Sequence, residues 1–424
     1  MEVFKARVLR ILYRLFYSLV LPVLIGSITA LVVSAFVIGS YNFSIWSYTV
    51  LRKNYHWIFL LYPFVTVFVV WMKRWILGID RAFSSFDTAI YAYHINKKLG
   101  IDNLVDAFAV FIVSGVGIAA GKTGPAMFLA CIVAALMGSY MIKDYRYLYT
   151  MAVASSFAWM FKTPIAAALI AVEIFFKKGI AEEYVMPAFA AAFTGYFVRA
   201  KLDFQTYTFL GVIDSDKISF NSVYAIHLIS FGILIAVVGS VFIRLFSYFL
   251  RLREKLVYKE GLYVAVLIGV GVLAAFGVGL TDAAFSSSEF FLRKLQMFLS
   301  GKITLGLREA LVAFGVELLI ISMVAGIGVP AGIVAPTLVI GGLLGVSYAL
   351  LFDLKPDMFF VVGIAGMFSF VFQAPISMLI FSLELTGRIE LAPYVILSFV
   401  FTMMFARDNL VFGNSILKNQ RPKA

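Results

Sequence analysis

Charge is scarce in this chain: Asp, Glu, Lys and Arg together make up 14% of its 424 residues, where a water-facing surface carries roughly 25%. That excludes an ordinary soluble fold. Cysteine is nearly absent, with Cys131 alone in an apolar stretch, so no internal disulfide can form. Histidine is almost as rare. His56, His94 and His227 are the only three, and neither Gly-x-Ser-x-Gly nor His-Glu-x-x-His accompanies them. A serine hydrolase or a histidine-built metal site therefore has no visible machinery. What the chain does have is apolar: 62% of it is hydrophobic, in repeated runs of roughly 15 to 20 residues, long enough to cross hydrocarbon as helices. The fold class expected is an all-α polytopic membrane protein.

The formal net charge is +12, but the basic residues gather at the ends of apolar runs, as the bias of cytoplasmic loops toward Lys and Arg predicts, and form no nucleic-acid module. Lys5, Arg7, Arg10 and Arg14 stand before the first long apolar run. No small-residue cleavage site follows them, so residues 1–16 are read as an interfacial amphipathic helix with Phe4, Val8, Ile11 and Phe16 toward lipid. Further basic clusters occur at Arg251, Arg253, Lys255 and Lys259, and at Arg407, Lys418, Arg421 and Lys423. The longest polar connection, about 202–219, carries Asp203, Asp214 and Asp216 against Lys217 and suits the opposite side of the membrane. This charge pattern predicts two halves of inverted topology: residues 17–210 as the first transmembrane repeat, 211–417 as the second, and 418–424 as a short basic cytoplasmic tail.

Self-comparison supports the duplication. Gly121, Pro125, Pro164 and Glu173 recur as Gly332, Pro336, Pro375 and Glu384, every pair 211 residues apart. Ala-Phe-Ser-Ser also occurs twice, at Ala82–Ser85 and at Ala284–Ser287. Proline is favoured in the first turn of a helix because the N–H it lacks would be unbonded there anyway. Pro125, Pro164, Pro336 and Pro375 are therefore expected to mark helix starts. Such ends expose amides and about half a unit of positive charge, and several converging at the midplane would bind an anion without a full cation in the pore. Gly121-Lys122-Thr123 is not a nucleotide-binding loop, since the glycine required five positions earlier is Val116.

With those residues in view, the sequence resembles the CLC chloride channel and transporter family. The family's Gly-Arg-Glu-Gly-Pro and Gly-x-Phe-x-Pro helix starts look like Gly121-Lys122-Thr123-Gly124-Pro125 and Gly332-Ile333-Val334-Ala335-Pro336. Its Asn-Ala-Pro-Leu-Ala-Gly segment ending in glutamate looks like Lys162-Thr163-Pro164-Ile165-Ala166-Ala167 through Glu173, with Ala374-Pro375 through Glu384 as partner. The resemblance covers about residues 20–417 and implies two inverted repeats of tilted, broken helices, a homodimer with one pore per subunit, and a bound chloride or similar anion, with no cofactor. Carried over by position, the central serine falls on Ser84, or on Ser85 in the alternative register. Without the resemblance either would be read as a helix cap. The anion-binding set implied is Ser84, Ser85, Gly121, Lys122, Thr123, Gly124, Gly332, Ile333, Val334, Ala335 and Phe412.

The departures matter as much. Thr123 stands at the family's gating glutamate and Ile174 at the inner proton-transfer glutamate, while Phe412 or Gly413 replaces the central tyrosine. Neither threonine nor isoleucine titrates near neutral pH. The expectation is passive movement of a small monovalent anion, chloride first, uncoupled from protons and without enzymatic activity. The alternatives are a proton-coupled exchanger using other carboxylates, an intramembrane enzyme, or a scaffold. Lys122 would either attract anions to the outer entrance or snorkel to the interface. Asp106, Glu317, Lys162 and Glu384 lie in or near apolar segments and call for partners, with Lys122 a candidate for Asp106. Glu173 and Glu384 are expected to accept N–H groups from neighbouring helix ends. The expected location is the plasma membrane of a prokaryote, with both termini cytoplasmic.

Overall fold

The computed structural model describes residues 2–78, 85–138, 142–176, 179–202, 222–286 and 289–406. The expected division between residues 210 and 211 lies outside them, as do Ser84, Phe412 and the tail 418–424. The first half contains α1 (Glu2–Leu15), α2 (Leu21–Lys53), α3 (Ile58–Leu77), α4 (Ser85–His94), α5 (Leu104–Gly115), α6 (Thr123–Gly138), α7 (Tyr145–Phe161), α8 (Pro164–Glu173) and α9 (Val185–Leu202). The second contains α10 (Ser222–Leu256), α11 (Glu260–Leu280), α12 (Glu289–Leu299), α13 (Leu307–Gly326), α14 (Val334–Leu351), α15 (Pro356–Phe372), α16 (Pro375–Thr386) and α17 (Ala392–Met404). A π-helical turn joins α1 to α2 without a break. Among the described residues the only β pairing is two isolated bridges.

Among the described residues six helical segments are long and apolar enough to cross a membrane, at Arg7–Leu51, Tyr55–Leu77, Ser222–Leu256, Glu260–Leu280, Leu307–Gly326 and Val334–Leu351. Others are too short, including α8 with 10 residues and α16 with 12. At 1.5 Å per residue these reach about 15–18 Å, roughly half of the hydrocarbon thickness. A membrane protein accommodates such half-helices only where protein covers their ends.

The repeat visible in the sequence extends to element boundaries. The ends of α7 and α15, Tyr145 with Pro356 and Phe161 with Phe372, are also 211 residues apart, and so are the ends of α5 and α13 at Gly115 and Gly326. Both α7 and α15 are apolar all round, and every residue of Tyr147–Phe161 and of Met358–Phe372 is buried. Each is the buried centre of a group of helices, α7 among α2, α6, α8 and α9 and α15 among α10, α14, α16 and α17. Each is closed by a left-handed residue, Lys162 (φ 58°) and Gln373 (φ 52°), which turns the chain into the proline that opens the next half-helix.

Buried charge is matched across the repeat as well. Asp106 on α5 and Glu317 on α13 lie 211 residues apart, and both are buried. The partner of Asp106 is Lys73 on α3, with Nζ 2.6 Å from Oδ1 and both side chains 3% exposed. This corrects the pairing with Lys122. After α5 the chain turns at Gly117 (φ 98°), and the Lys122 side chain runs to α2, donating to Ser44 Oγ at 3.2 Å.

A buried ion pair is costly to break and cheap to replace whole. Asp106→Ala alone is expected to destabilise the protein by about 3–5 kcal/mol, and the apolar pair Lys73→Met with Asp106→Leu by much less. Thermal unfolding in detergent checks this, and a double variant no better than the single one contradicts it.

Candidate functional site

The first site element is a pair of glycines. Gly121 precedes α6 and Gly332 precedes α14, and they form an antiparallel bridge. The Gly121 N–H donates to the Gly332 carbonyl at 2.9 Å, and the Gly332 N–H donates to the Gly121 carbonyl at 2.8 Å. A Cβ on Gly121 would lie 2.2 Å from the Gly332 oxygen and 2.6 Å from Pro336 Cδ; one on Gly332 would lie 2.3 Å from the Gly121 oxygen and 2.6 Å from Pro125 Cδ. The contact thus requires glycine on both sides. It also explains the spacing to the prolines, since each ring packs against the opposite glycine.

Two residues beyond each glycine a helix begins, at Thr123 and at Val334. The first i→i−4 bonds are donated by Ala126 to the Lys122 carbonyl at 2.9 Å and by Thr337 to the Ile333 carbonyl at 3.0 Å. Pro125 and Pro336 therefore stand in the first turn, just after the first helical residues, where their missing N–H leaves no gap in the ladder. A third start joins them. A Cβ on Gly124 would lie 3.8 Å from both Gly332 Cα and Phe86 Cβ, and Phe86 is the second residue of α4, which opens at Ser85. Three helix N-termini, of α4, α6 and α14, thus meet at one point. The surrounding residues are buried: Lys122 is 3% exposed, Thr123 5% and Val334 0%, with Ile333 also buried and Ala335 half-buried.

The other two proline-opened starts, of α8 and α16, have acceptors of their own. They are closed by carboxylates. Glu384 on α16 accepts from the Ile165 N–H at 3.0 Å and the Ala166 N–H at 2.9 Å, at the start of α8. Glu173, the last residue of α8, accepts from the Ile376 N–H at 3.4 Å, the Ser377 N–H at 2.9 Å and the Ser377 hydroxyl, at the start of α16. Each half-helix therefore caps the other, and the two run antiparallel although they are sequence equivalents. That geometry is the inversion of the repeat seen at atomic scale. It agrees with the expectation that both glutamates accept helix-end N–H groups, and it places favourable negative charge at two helix N-termini.

Lys122 does not snorkel to the interface. Its ammonium is buried, bonded to Ser44 and 6.0 Å from the centre of the Tyr41 ring. Ser44 also accepts from the Ser286 hydroxyl at 2.8 Å, so Phe285 and Ser286 of the second Ala-Phe-Ser-Ser pack against α2 and the loop before α6. Sequence reasoning missed Ser44 as the partner of Lys122 and Ser286 as the partner of Ser44, and a contact between residues 78 positions apart leaves no local signal. Ser84 and Phe412 lie outside the described residues. Among the described residues no three metal-binding side chains gather, and His94 is occupied with the Phe175 carbonyl at 2.7 Å.

Compared with known proteins, residues 67–407 match the family model described as voltage-gated chloride channel. The chain belongs to that family. Its members carry anions, as channels or as proton antiporters, and the present chain is an integral multi-pass membrane protein. It is 25% identical over 321 residues to an uncharacterized protein of Methanocaldococcus jannaschii, covering 72% of this chain and 75% of that one. Among solved structures it is similar to a CLC-type fluoride/proton antiporter, with TM-score 0.79, 17% identity and coverage of 95% and 99% of the two chains. It is also similar to a slow cyanobacterial chloride/proton antiporter, with TM-score 0.72, 18% identity and coverage of 92% and 93%. A eukaryotic CLC transporter gives TM-score 0.71 at 18% identity, over 95% of this chain and 74% of the other. These likenesses establish the fold.

Gly332→Ala is expected to separate the glycine pair and lower both folding yield and thermal stability. Gly315→Ala is the control, because a Cβ there meets nothing within 4 Å and alanine is favoured in helices by about 0.5–1 kcal/mol. Equal thermal midpoints for the two variants would contradict the close-contact account.

Proposed function

We propose that this CLC-family protein passes a small monovalent anion, chloride first, across the membrane without proton coupling, through one pore in each subunit. The observation that carries the reading is the meeting of the α4, α6 and α14 starts. Amide ends of three helices aim partial positive charge into one buried region, and such dipoles stabilise an anion while holding it less tightly than a lysine or arginine would. In this reading the anion is held by amides around Gly121–Gly124 and Gly332–Ala335, with the Ser84–Ser85 segment and Phe412 completing the site. Both termini would then be cytoplasmic.

Absence of proton coupling is argued from side chains. Thr123 opens α6 at the meeting point, and Ile174 follows Glu173 at the end of α8. Neither binds or releases a proton near neutral pH. Glu173 and Glu384 are committed to helix-end amides. A second reading, proton-coupled exchange, enters through the likeness to the fluoride/proton antiporter. It would require another carboxylate on the route, for which buried Glu317 on α13 is a candidate.

Purified protein in liposomes with an anion gradient and a pH electrode separates these readings. Chloride efflux without proton movement is the expected result. Anion-driven uphill proton movement would replace the proposal with exchange, and no flux of chloride, nitrate or fluoride by folded protein would leave a scaffold. Thr123→Glu should add a charged plug. Glutamate ionises with a pKa of about 4.3, so the variant is expected to pass less anion than the parent at neutral pH and to recover as pH falls toward that value. Identical pH profiles would place Thr123 off the route.

The family resemblance also leads us to propose a homodimer. Exposed apolar residues such as Ile165, Ile376, Ile396 and Val400, on α8, α16 and α17, suit contact with a second copy as well as with lipid. Light scattering should give a protein mass of twice 47.0 kDa in detergent, and a single-chain mass at all concentrations would refute the dimer.

A further inference from the structure

The two loops that deliver the chain to the paired glycines are equivalents, yet they are braced by different chemistry. Gly117 and Gly328 are 211 residues apart and hold nearly the same left-handed backbone, φ 98° and 100°. The first is held by an apolar ring and by backbone: a Cβ on Gly117 would lie 2.1 Å from the Phe285 ring, and the Ser286 N–H donates to the Gly117 carbonyl at 2.9 Å. The second is held by a hydroxyl, with the Arg253 side chain packed beside it. Tyr263 Oη on α11 donates to the Ile327 carbonyl at 2.8 Å. A Cβ on Gly328 would lie 2.9 Å from Cδ and Nε of Arg253 and 3.1 Å from Tyr263 Oη. Arg74 on α3 sets its guanidinium carbon 5.3 Å from the centre of the Tyr263 ring, while its Nη2 donates to the Val257 carbonyl at 2.7 Å. Arg253 is 5% exposed and Tyr263 1%.

We propose that Arg253 and Tyr263 are positioning residues for the anion route: they fix the Ile327–Gly328 turn, and through it the placement of the amide end of α14. The inference rests on the anion-transport reading. Gly328 is four residues before Gly332 and six before Val334, with no helical turn between them to absorb movement. Gly332 is in turn pinned to Gly121, so a shift at Gly328 alters the strain on the meeting point itself. Discrimination among anions at a ring of dipoles depends on their spacing and orientation. Arg253 and Arg74 also supply permanent positive charge beside this loop, whose field favours anions on the approach to the α14 start. The equivalent position in the first half, at Gly117, has an aromatic ring in that role, so the cationic brace belongs to one side of the route.

The test compares the full-length parent with Tyr263→Phe, Arg253→Lys and Arg253→Met in liposomes of one lipid composition, measuring the chloride-to-nitrate flux ratio and the chloride concentration giving half-maximal flux. Tyr263→Phe should shift the flux ratio by about threefold to tenfold, the equivalent of one net hydrogen bond, and leave the half-maximal concentration unchanged. Arg253→Met should shift the ratio and raise the half-maximal concentration, and Arg253→Lys should restore the concentration while leaving the ratio altered. A merely structural brace would lower the thermal midpoint with both readouts unchanged, and that result overturns the proposal. Should Arg253→Met fail to fold, Tyr263→Phe decides alone, because it removes one hydroxyl and keeps the ring. A parent that passes no anion overturns the transport reading and this inference together, before any variant is compared.

Discussion

The two hydrogen bonds between Gly121 and Gly332 are the constraint on which the arrangement depends. They join backbone to backbone with no side chain between, so two loops from opposite halves of the chain approach to the limit that carbonyl oxygens allow. Each loop then has only two residues in which to begin a helix, and the helices leave the contact in opposed directions. The prolines follow from the same geometry. A ring packed against the opposite glycine fixes φ in the first turn and brings no donor that would go unpaired. Together these features place two helix N-termini beside each other inside a membrane, where unsatisfied backbone is otherwise excluded.

Much of this was legible in the sequence because it is a property of residue identity. Glycine at 121 and 332, proline at 125 and 336, and glutamate at 173 and 384 are required by contacts in which no other residue serves as well, and one constant offset exposes them. The capping role of the glutamates could also be argued ahead of the structure, from half-helices whose amides need acceptors. The less legible matches are conformational. Lys162 and Gln373 share a left-handed backbone and occupy equivalent positions, but lysine and glutamine have nothing in common as letters. Gly117 and Gly328 were legible in principle, since they obey the same offset and precede the recognised motif by four residues. The pairing of Asp106 with Lys73 was not, because it depends on how α3 lies along α5, and sequence distance misleads about which cation is near. The Ser84 segment and Phe412 fall on residues the structure does not describe, so their assignment rests on resemblance alone.

The five helix starts described around the repeats divide into two chemical kinds. Those of α8 and α16 are capped by glutamates held on the opposite repeat, which satisfies their amides with fixed negative charge and locks the two halves together. Those of α4, α6 and α14 gather at the glycine pair, where Thr123 and Val334 open α6 and α14 without a carboxylate and α4 carries the buried Asp87 in its first turn. The same dipole thus meets a capping glutamate at α8 and α16 and an uncharged first residue at α6 and α14.

That division bears on the choice between a structural and a transport role for the helix ends. A permanent carboxylate suits an end whose only task is stability, since it is worth roughly 1.5–3 kcal/mol when hydrogen-bonded to amides and never leaves. An end meant for a passing anion has to forgo such a cap, because a tethered carboxylate would compete with every ion that arrived. In the transport reading proposed above, Thr123 leaves the start of α6 without such a cap, while Glu384 and Glu173 close the starts of α8 and α16. The carboxylate caps thus lie where they join the two repeats, while the two helix starts joined by the glycine pair are opened by Thr123 and Val334, which carry none.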